Sequence, residues 1–304
     1  MTDLSLAIRN FETDYADARK SARRVQAVST LLFLSAVLFS AYVGGFFAFT
    51  DVTLPSGERV SMLKIWAGLP RLGEYLEKTI PTLRFATLGS DLAEWFWRWE
   101  TWLRLLWETI LIAYAATVLG VAGGFLLSFL AARNLSPGRP VSVVVRRYLE
   151  IIRTVPEMVW ALIFVFCFGV GPLAGVLAIG VHATGSLGKL YSEANENIDM
   201  RPLDGIKASG GNWFQQMRYG AVPQVIPNVI SYTLLRFEIN VRSSSIIGYV
   251  GAGGLGQEIR TAMSLQEYTD LSALFVIILF SVTVIDFLSE RLRHRIIGIS
   301  EHWT

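Results

Sequence analysis

Cysteine is nearly absent. Cys167 stands alone in 304 residues, so no intrachain disulfide can staple the fold, and nothing around it has metal-ligand spacing. Charge is scarce as well: 17% of residues are charged against 52% hydrophobic, below the roughly 25% of an ordinary soluble domain. The net charge is only +2, and the basic residues sit at the ends of apolar runs rather than in a stripe, so the charge gives no sign of nucleic acid and none is expected as a partner. The N-terminus also lacks the form of a secretory signal. A polar stretch precedes the first apolar run, and no small-residue cleavage site ends it, so that run is expected to stay as a membrane anchor.

What is present is a series of long uncharged runs, the mark of a polytopic, all-α protein of the lipid bilayer. Ala27 to Thr50 carries no charge and is long enough to cross a core of roughly 30 Å at about 1.5 Å per residue. A first span is therefore expected within 25–50. It follows a cytoplasmic amphipathic segment over 1–24 that carries Ile8, Phe11 and Tyr15 on one side and ends in Arg19-Lys20 and Arg23-Arg24. Residues 51–104 are mixed and are expected to be extracytoplasmic or interfacial. Pro55-Ser56-Gly57 marks a turn, Met62 to Thr79 reads as an interfacial helix, and Trp95, Trp97, Trp99, Trp102 and Trp107 follow. Trp95, Trp99 and Trp102 share a helical face suited to the headgroup level. A nucleobase-stacking surface is the weaker reading, because the segment leads directly into the uncharged second span, Thr109 to Ala132.

Arg133, Arg139, Arg146 and Arg147 come next with no acid among them, which assigns 133–147 to the cytoplasm. Met158 to Gly188 is uncharged but would make one helix of about 46 Å, too long for one span. Gly169-Val-Gly-Pro172 divides it, and the third span must then recruit Tyr148 to Pro156. Pro223 to Val250 is expected as the fifth span and Leu271 to Ser289 as the sixth. The tail 291–304, with Arg291, Arg293 and Arg295, then returns to the cytoplasm with the N-terminus. The basic residues of 51–104 run against this layout, since nearby acids weigh little in the charge rule.

Between the fourth and fifth spans lies a polar island, Leu203 to Asn228, with Asp204, Lys207, Gln215, Gln216 and Arg218. Ile206, Gly210, Phe214 and Met217 fall at helical spacing within it, which predicts a short amphipathic helix or helix pair broken at Gly210-Gly211. A helical segment held outside the membrane between two spans can be gripped by a motor. Two motifs are decoys. Gly251-Ala-Gly253-Gly254-Leu-Gly256 matches a dinucleotide fingerprint but has no βαβ unit around it, so it reads as an outer-mouth turn. Ala183 to Leu190 nearly matches a phosphate-binding loop, but Ala183 replaces the first glycine and Leu190 the magnesium-holding hydroxyl. No ATP, metal or other cofactor is expected in this chain.

Charges inside the spans are costly, at least about 2.5 kcal/mol each, and so should face a partner or a cavity. Arg153 has Glu150 and Glu157 on its helical face, and Glu238 precedes Arg242 at a favourable spacing. Arg236 shares a face with Asn240 and has no local acid, so either Glu150 or Glu157 meets it from another helix or it faces a water-filled path. His182 stands alone in the fourth span, and Asp286 reads as facing the headgroups. Arg153, Glu157, His182, Arg236, Asn240 and Arg242 are the candidate path residues.

The island resembles the EAA loop of ABC importer permeases, with Asp204-Gly205-Ile206 for the triplet, Gly210 three residues on, and Pro223 at the end of the spacing. Asp replaces Glu, and Gly and Ile replace the alanines. The run from Arg218 to Gly256, together with Glu157-Met158-Val159, His182 to Gly185 and Lys189-Leu190, is similar to the phosphonate transporter permease. The resemblance covers roughly 105–295. It implies a type I importer permease core over 105–290 with a coupling loop at 203–223, gripped through Asp204, Gly205, Ile206, Gly210, Phe214 and Pro223. It also implies a homodimer in the bacterial inner membrane, two ATP-binding subunits, an extracytoplasmic binding protein, and a phosphorus oxyanion as cargo. The competing classes are an ion-coupled secondary transporter, for which no internal repeat is found, and a non-transporting scaffold.

Overall fold

Uncharged runs of this length must satisfy their backbone internally, and helices do so. The computed structural model describes residues 2–45, 48–53 and 59–301, and these divide into two units, 1–78 and 79–304. In the first unit, α1 (Thr2–Val43) joins the expected amphipathic segment and first span into one continuous helix. It stops before Thr50, at Gly44-Gly45, where Gly45 takes φ +70°, a stop that only a residue without Cβ makes cheaply. Beyond it β1 (Phe49–Thr53) pairs antiparallel with β2 (Arg59–Leu63), Phe49 opposite Leu63 and Thr53 opposite Arg59. Val52, Thr53 and Val60 favour this pleated backbone. The hairpin was not foreseen, and the expected helix from Met62 begins instead with α2 (Lys64–Thr79). The expected turn at Pro55-Ser56-Gly57 lies outside the described residues.

The second unit opens with α3 (Leu88–Trp95) and α4 (Trp99–Ala131), so the tryptophan stretch is not one helix and its expected common face does not form. Trp102 is fully buried against Leu255, Ala262, Ala273 and Leu274. Trp95 donates through Nε1 to the Ser272 hydroxyl at 3.0 Å. Next come α5 (Arg139–Thr154), α6 (Glu157–Phe168) and α7 (Pro172–Glu196). The break at 169–171 falls where expected, but the third span is not straight: α5 and α6 meet at 85°. Pro156 brings no N–H and forces Val155 into extended backbone, at φ −71° and ψ 123°.

The core is the α4–α7 pair with α5, α6 and the later helix Val222–Ile247 around it. Small residues set its spacing. A Cβ on Gly124 would lie 2.9 Å from the Gly188 nitrogen, and one on Gly188 2.7 Å from Leu149. The chain continues through α8 (Arg201–Ala208), α9 (Trp213–Gln215) and a π-helical turn (Gln216–Ala221) into α10 (Val222–Ile247). A 3-10 turn (Gly248–Val250), α11 (Leu255–Leu265) and α12 (Tyr268–Glu301) complete it. Among the described residues four helical stretches are long and apolar enough to cross a membrane: Arg19–Val43, Trp99–Ala131, Pro172–Glu196 and Tyr268–Arg295. The bent α5–α6 pair makes a fifth candidate. At 26 residues α10 has the length of a span, but it carries Arg236, Glu238 and Arg242.

Candidate functional site

The bend at Pro156 makes Glu157 the first residue of α6, aimed at α7 and α10. Its Oε1 accepts from Arg236 Nη2 at 2.8 Å and lies 3.5 Å from His182 Nε2. His182 Nδ1 is 3.1 Å from the Val155 carbonyl. That carbonyl can only accept, so the proton sits on Nδ1. The solitary histidine of the sequence reading is therefore part of a three-helix cluster, and the acid that meets Arg236 is Glu157. The local triplet around Arg153 does not form. The bend carries Glu157 away, and Glu150 turns to Arg147 at 2.6 Å. Arg153 Nε and Arg236 Nε are buried with no hydrogen-bond partner among the described residues.

One turn along α10, fully buried Asn240 donates to the Thr117 hydroxyl of α4 at 2.9 Å. Arg242 bonds Glu238 at 3.1 Å, as its spacing predicts, and reaches Asp286 of α12 at 3.5 Å. Asp286 thus closes the α10–α12 seam rather than facing headgroups, and its Oδ1 is buried. Two buried polar links escaped the sequence reading: Tyr191 hydroxyl to Thr233 hydroxyl at 2.7 Å, and Asn195 Nδ2 to Ser128 at 3.0 Å. The polar face of Tyr191, Ser192 and Asn195 on one helix was the available signal.

At the end of the bundle where α4 stops and α5 starts, the island folds as the expected helix pair broken at Gly210-Gly211. Gly210 takes φ +83°. Asn212 then starts the next turn with a capping box, its Oδ1 accepting from the Gln215 N–H at 3.0 Å while Gln215 Oε1 accepts from the Asn212 N–H at 2.8 Å. The break changes the helical phase, so the predicted stripe of Ile206, Gly210, Phe214 and Met217 does not share a face. Met217 is buried with Leu203, Ala221, Phe129, Ala132 and Leu135, whereas Phe214 is 75% exposed. Trp213 ties the base down, its Nε1 donating to the Leu135 carbonyl at 2.7 Å. Asp204, Gly205, Lys207, Gly210 and Pro223 are exposed.

The glycine run is a tight turn, with Gly251, Gly253 and Gly254 at φ +98°, +89° and +70°. A Cβ on Gly256 would lie 2.4 Å from the Ser245 carbonyl oxygen. It does open a helix, α11. However, the Gly254 N–H donates to Glu108 at 3.2 Å and the Leu255 N–H to Thr109 at 2.8 Å. Donors that would hold a phosphate are already taken.

Residues 124–297 match the family described as binding-protein-dependent transport system inner membrane component. The chain belongs to that family. It is thus a multi-pass inner-membrane transport component. A putative phosphite transport system permease protein of Stutzerimonas stutzeri is 35% identical over 79% of this chain and 80% of its own length. A second phosphite transport system permease protein from the same organism is 36% identical over 68% and 76%. A putative cryptic phosphonate transport system permease protein of Escherichia coli K12 is 47% identical over 40% of this chain and its entire length. Among solved structures, an inward-facing methionine ABC transporter aligns with TM-score 0.56 at 19% identity, covering 64% of this chain and 95% of that one. A bacterial ABC transporter involved in alginate import aligns with TM-score 0.56 at 12% identity, covering 90% and 99%. At these identities the shared property is the permease fold.

Proposed function

We propose that this chain is the transmembrane subunit of an ATP-driven importer for a phosphorus oxyanion, phosphonate, phosphite or phosphate, working by alternating access. The observation that carries the reading is the protruding α8–α9 segment. Its apolar base is anchored in the bundle while Asp204, Gly205, Lys207 and Phe214 stand exposed, the form a handle for a separate motor requires. The phosphite and phosphonate permeases among its relatives supply the cargo class. Six spans follow if α10 is counted, its Arg236 being met by Glu157 and its Glu238 and Arg242 joining each other and Asp286. The three parts then read as an N-terminal helix with its anchor, an extracytoplasmic segment up to 104, and the permease core. Both termini and the α8–α9 segment are cytoplasmic.

One copy supplies half a path, so two copies assemble with two ATP-binding subunits and an extracytoplasmic binding protein. ATP and magnesium are held by the partner subunits, and this chain performs no covalent chemistry. Arg153, Glu157, His182, Arg236 and Asn240 line or gate the path at mid-depth, where a guanidinium offers a planar pair of donors to an oxyanion. Arg242 remains a candidate on the α10–α12 side, and Gly251 to Gly256 shape the outer mouth. Two measurements test the whole. Cysteines at Lys207 or Gln215 are expected to resist impermeant thiol reagents applied outside intact cells. The complex in vesicles is expected to hydrolyse ATP faster with binding protein loaded with phosphite or methylphosphonate. Labelling from outside would sink the reading, and so would ATPase activity indifferent to loaded binding protein.

A further inference from the structure

Arg139, Arg146 and Arg153 recur every seven residues along α5, which puts them on one helical face about 10 Å apart. Arg153 packs across α7 beside Gly185, one turn from His182 in the buried cluster. At the other end of the row a cavity of about 480 Å³ opens between α5 and the end of α4, lined by Arg133, Arg139, Arg146, Arg147, Ser142 and Glu150. That volume is in the range of small-molecule sites. A smaller cavity toward α7, touching Lys189 and Ser192, shares Arg146 and Glu150 with it. The two therefore adjoin at Arg146 and Glu150.

Four guanidinium groups meet one carboxylate in the larger cavity. Arg146 is tied to Glu196 and the Ala131 carbonyl, and Arg147 to Glu150. The Arg133 and Arg139 side chains are exposed and make no ion pair among the described residues. Arg98, Lys189, Arg236 and Arg242 each have a carboxylate, whereas Arg153, at the far end of the row, pairs with none among the described residues. The surplus positive charge of the pocket sits beside the α8–α9 segment, on the same end of the bundle.

We propose that this pocket is the exit vestibule of the path, a weak binding site for the phosphorus oxyanion as it leaves on the cytoplasmic side. The inference rests on the proposed function and adds to it a site on the release side. Guanidinium forks match oxyanion geometry, and a cationic cleft raises the local anion concentration. Because its two unpaired arginines are solvated, the hold stays loose enough for release. A phospholipid phosphodiester offers the same chemistry. However, of the exposed apolar residues of α5, Val141, Val144, Tyr148 and Ile151 lie on nearly the opposite side of the helix from Arg139 and Arg146, and Val143 alone stands at the pocket. Acyl chains on that face would hold a headgroup away from the pocket.

The test uses the complex with its ATP-binding subunits in nanodiscs of zwitterionic lipid, without binding protein, and inorganic phosphate as the probe read by phosphorus NMR line width. Wild type is expected to broaden the line, and R133Q/R139Q to bind about tenfold more weakly, with R133K/R139K recovering most of the broadening. Equal broadening by wild type and R133Q/R139Q overturns the vestibule. Broadening abolished by adding phosphatidylglycerol to the nanodisc assigns the pocket to lipid headgroups, and loss of the ATP-binding subunits from R133Q/R139Q assigns it to motor docking; either result overturns it too. Import of phosphite or methylphosphonate by the wild-type complex reads the proposed function separately. Active import with no difference in broadening removes only the vestibule, whereas absence of import with broadening intact removes the importer reading.

Discussion

The Glu157–His182–Arg236 cluster and the α8–α9 segment are both polar, yet they are held in opposite ways. The cluster joins α6 and α7 to the distant α10, and each member is fixed by another element. The segment is fixed largely by its own neighbours: a glycine turn, a reciprocal cap, and a few apolar side chains below. Removing one member of the first leaves a buried charge without its partner. Removing one member of the second loosens a solvated turn, because water replaces what is lost.

Three substitutions test that contrast. The largest effect is expected from Glu157→Gln. Arg236 is 9% exposed, and breaking a buried pair by removing one partner costs about 3–5 kcal/mol. Thermal unfolding in detergent should show a large fall, with E157Q/R236M recovering most of it. If E157Q unfolds like wild type, the cluster is not what holds α6 to α10. Next comes Asn212→Ala. It removes the cap and is expected to cost about 1 kcal/mol, with assembly retained but ATPase stimulation by loaded binding protein reduced. A variant that unfolds as severely as E157Q would erase the distinction between the two regions. The smallest effect is expected from Arg242→Gln. That side chain is half-exposed between Glu238 and Asp286, so the change should cost no more than about 1 kcal/mol. A stability loss above that would mean the α10–α12 seam behaves like the buried cluster.

The break of the island at Gly210-Gly211 was legible because a glycine pair is a local signal, and the Glu238–Arg242 pair because its spacing is intrahelical. The 85° bend was written in Pro156, but its consequence was not: the residue that should have served Arg153 turns to Arg236 instead. The tryptophan face failed similarly. A helix read across 91–107 overlooks the break at 96–98, and Trp102 is claimed by α11 and α12, which lie far along the chain. The hairpin at 49–63 was hidden by the apolar run before it, whose end was read from hydropathy rather than from Gly44-Gly45.

By itself the sequence determined the membrane class, much of the succession of helices and the polar island broken at Gly210-Gly211. These follow from run length, charge and residues acting on their immediate neighbours. Only the tertiary structure decided which carboxylate meets Arg236, where Asp286 points, and that the Arg133 and Arg139 side chains pair with no carboxylate among the described residues. Helix rotation and bending set those pairings, and both depend on glycine-tight packing between elements that sequence order does not bring together.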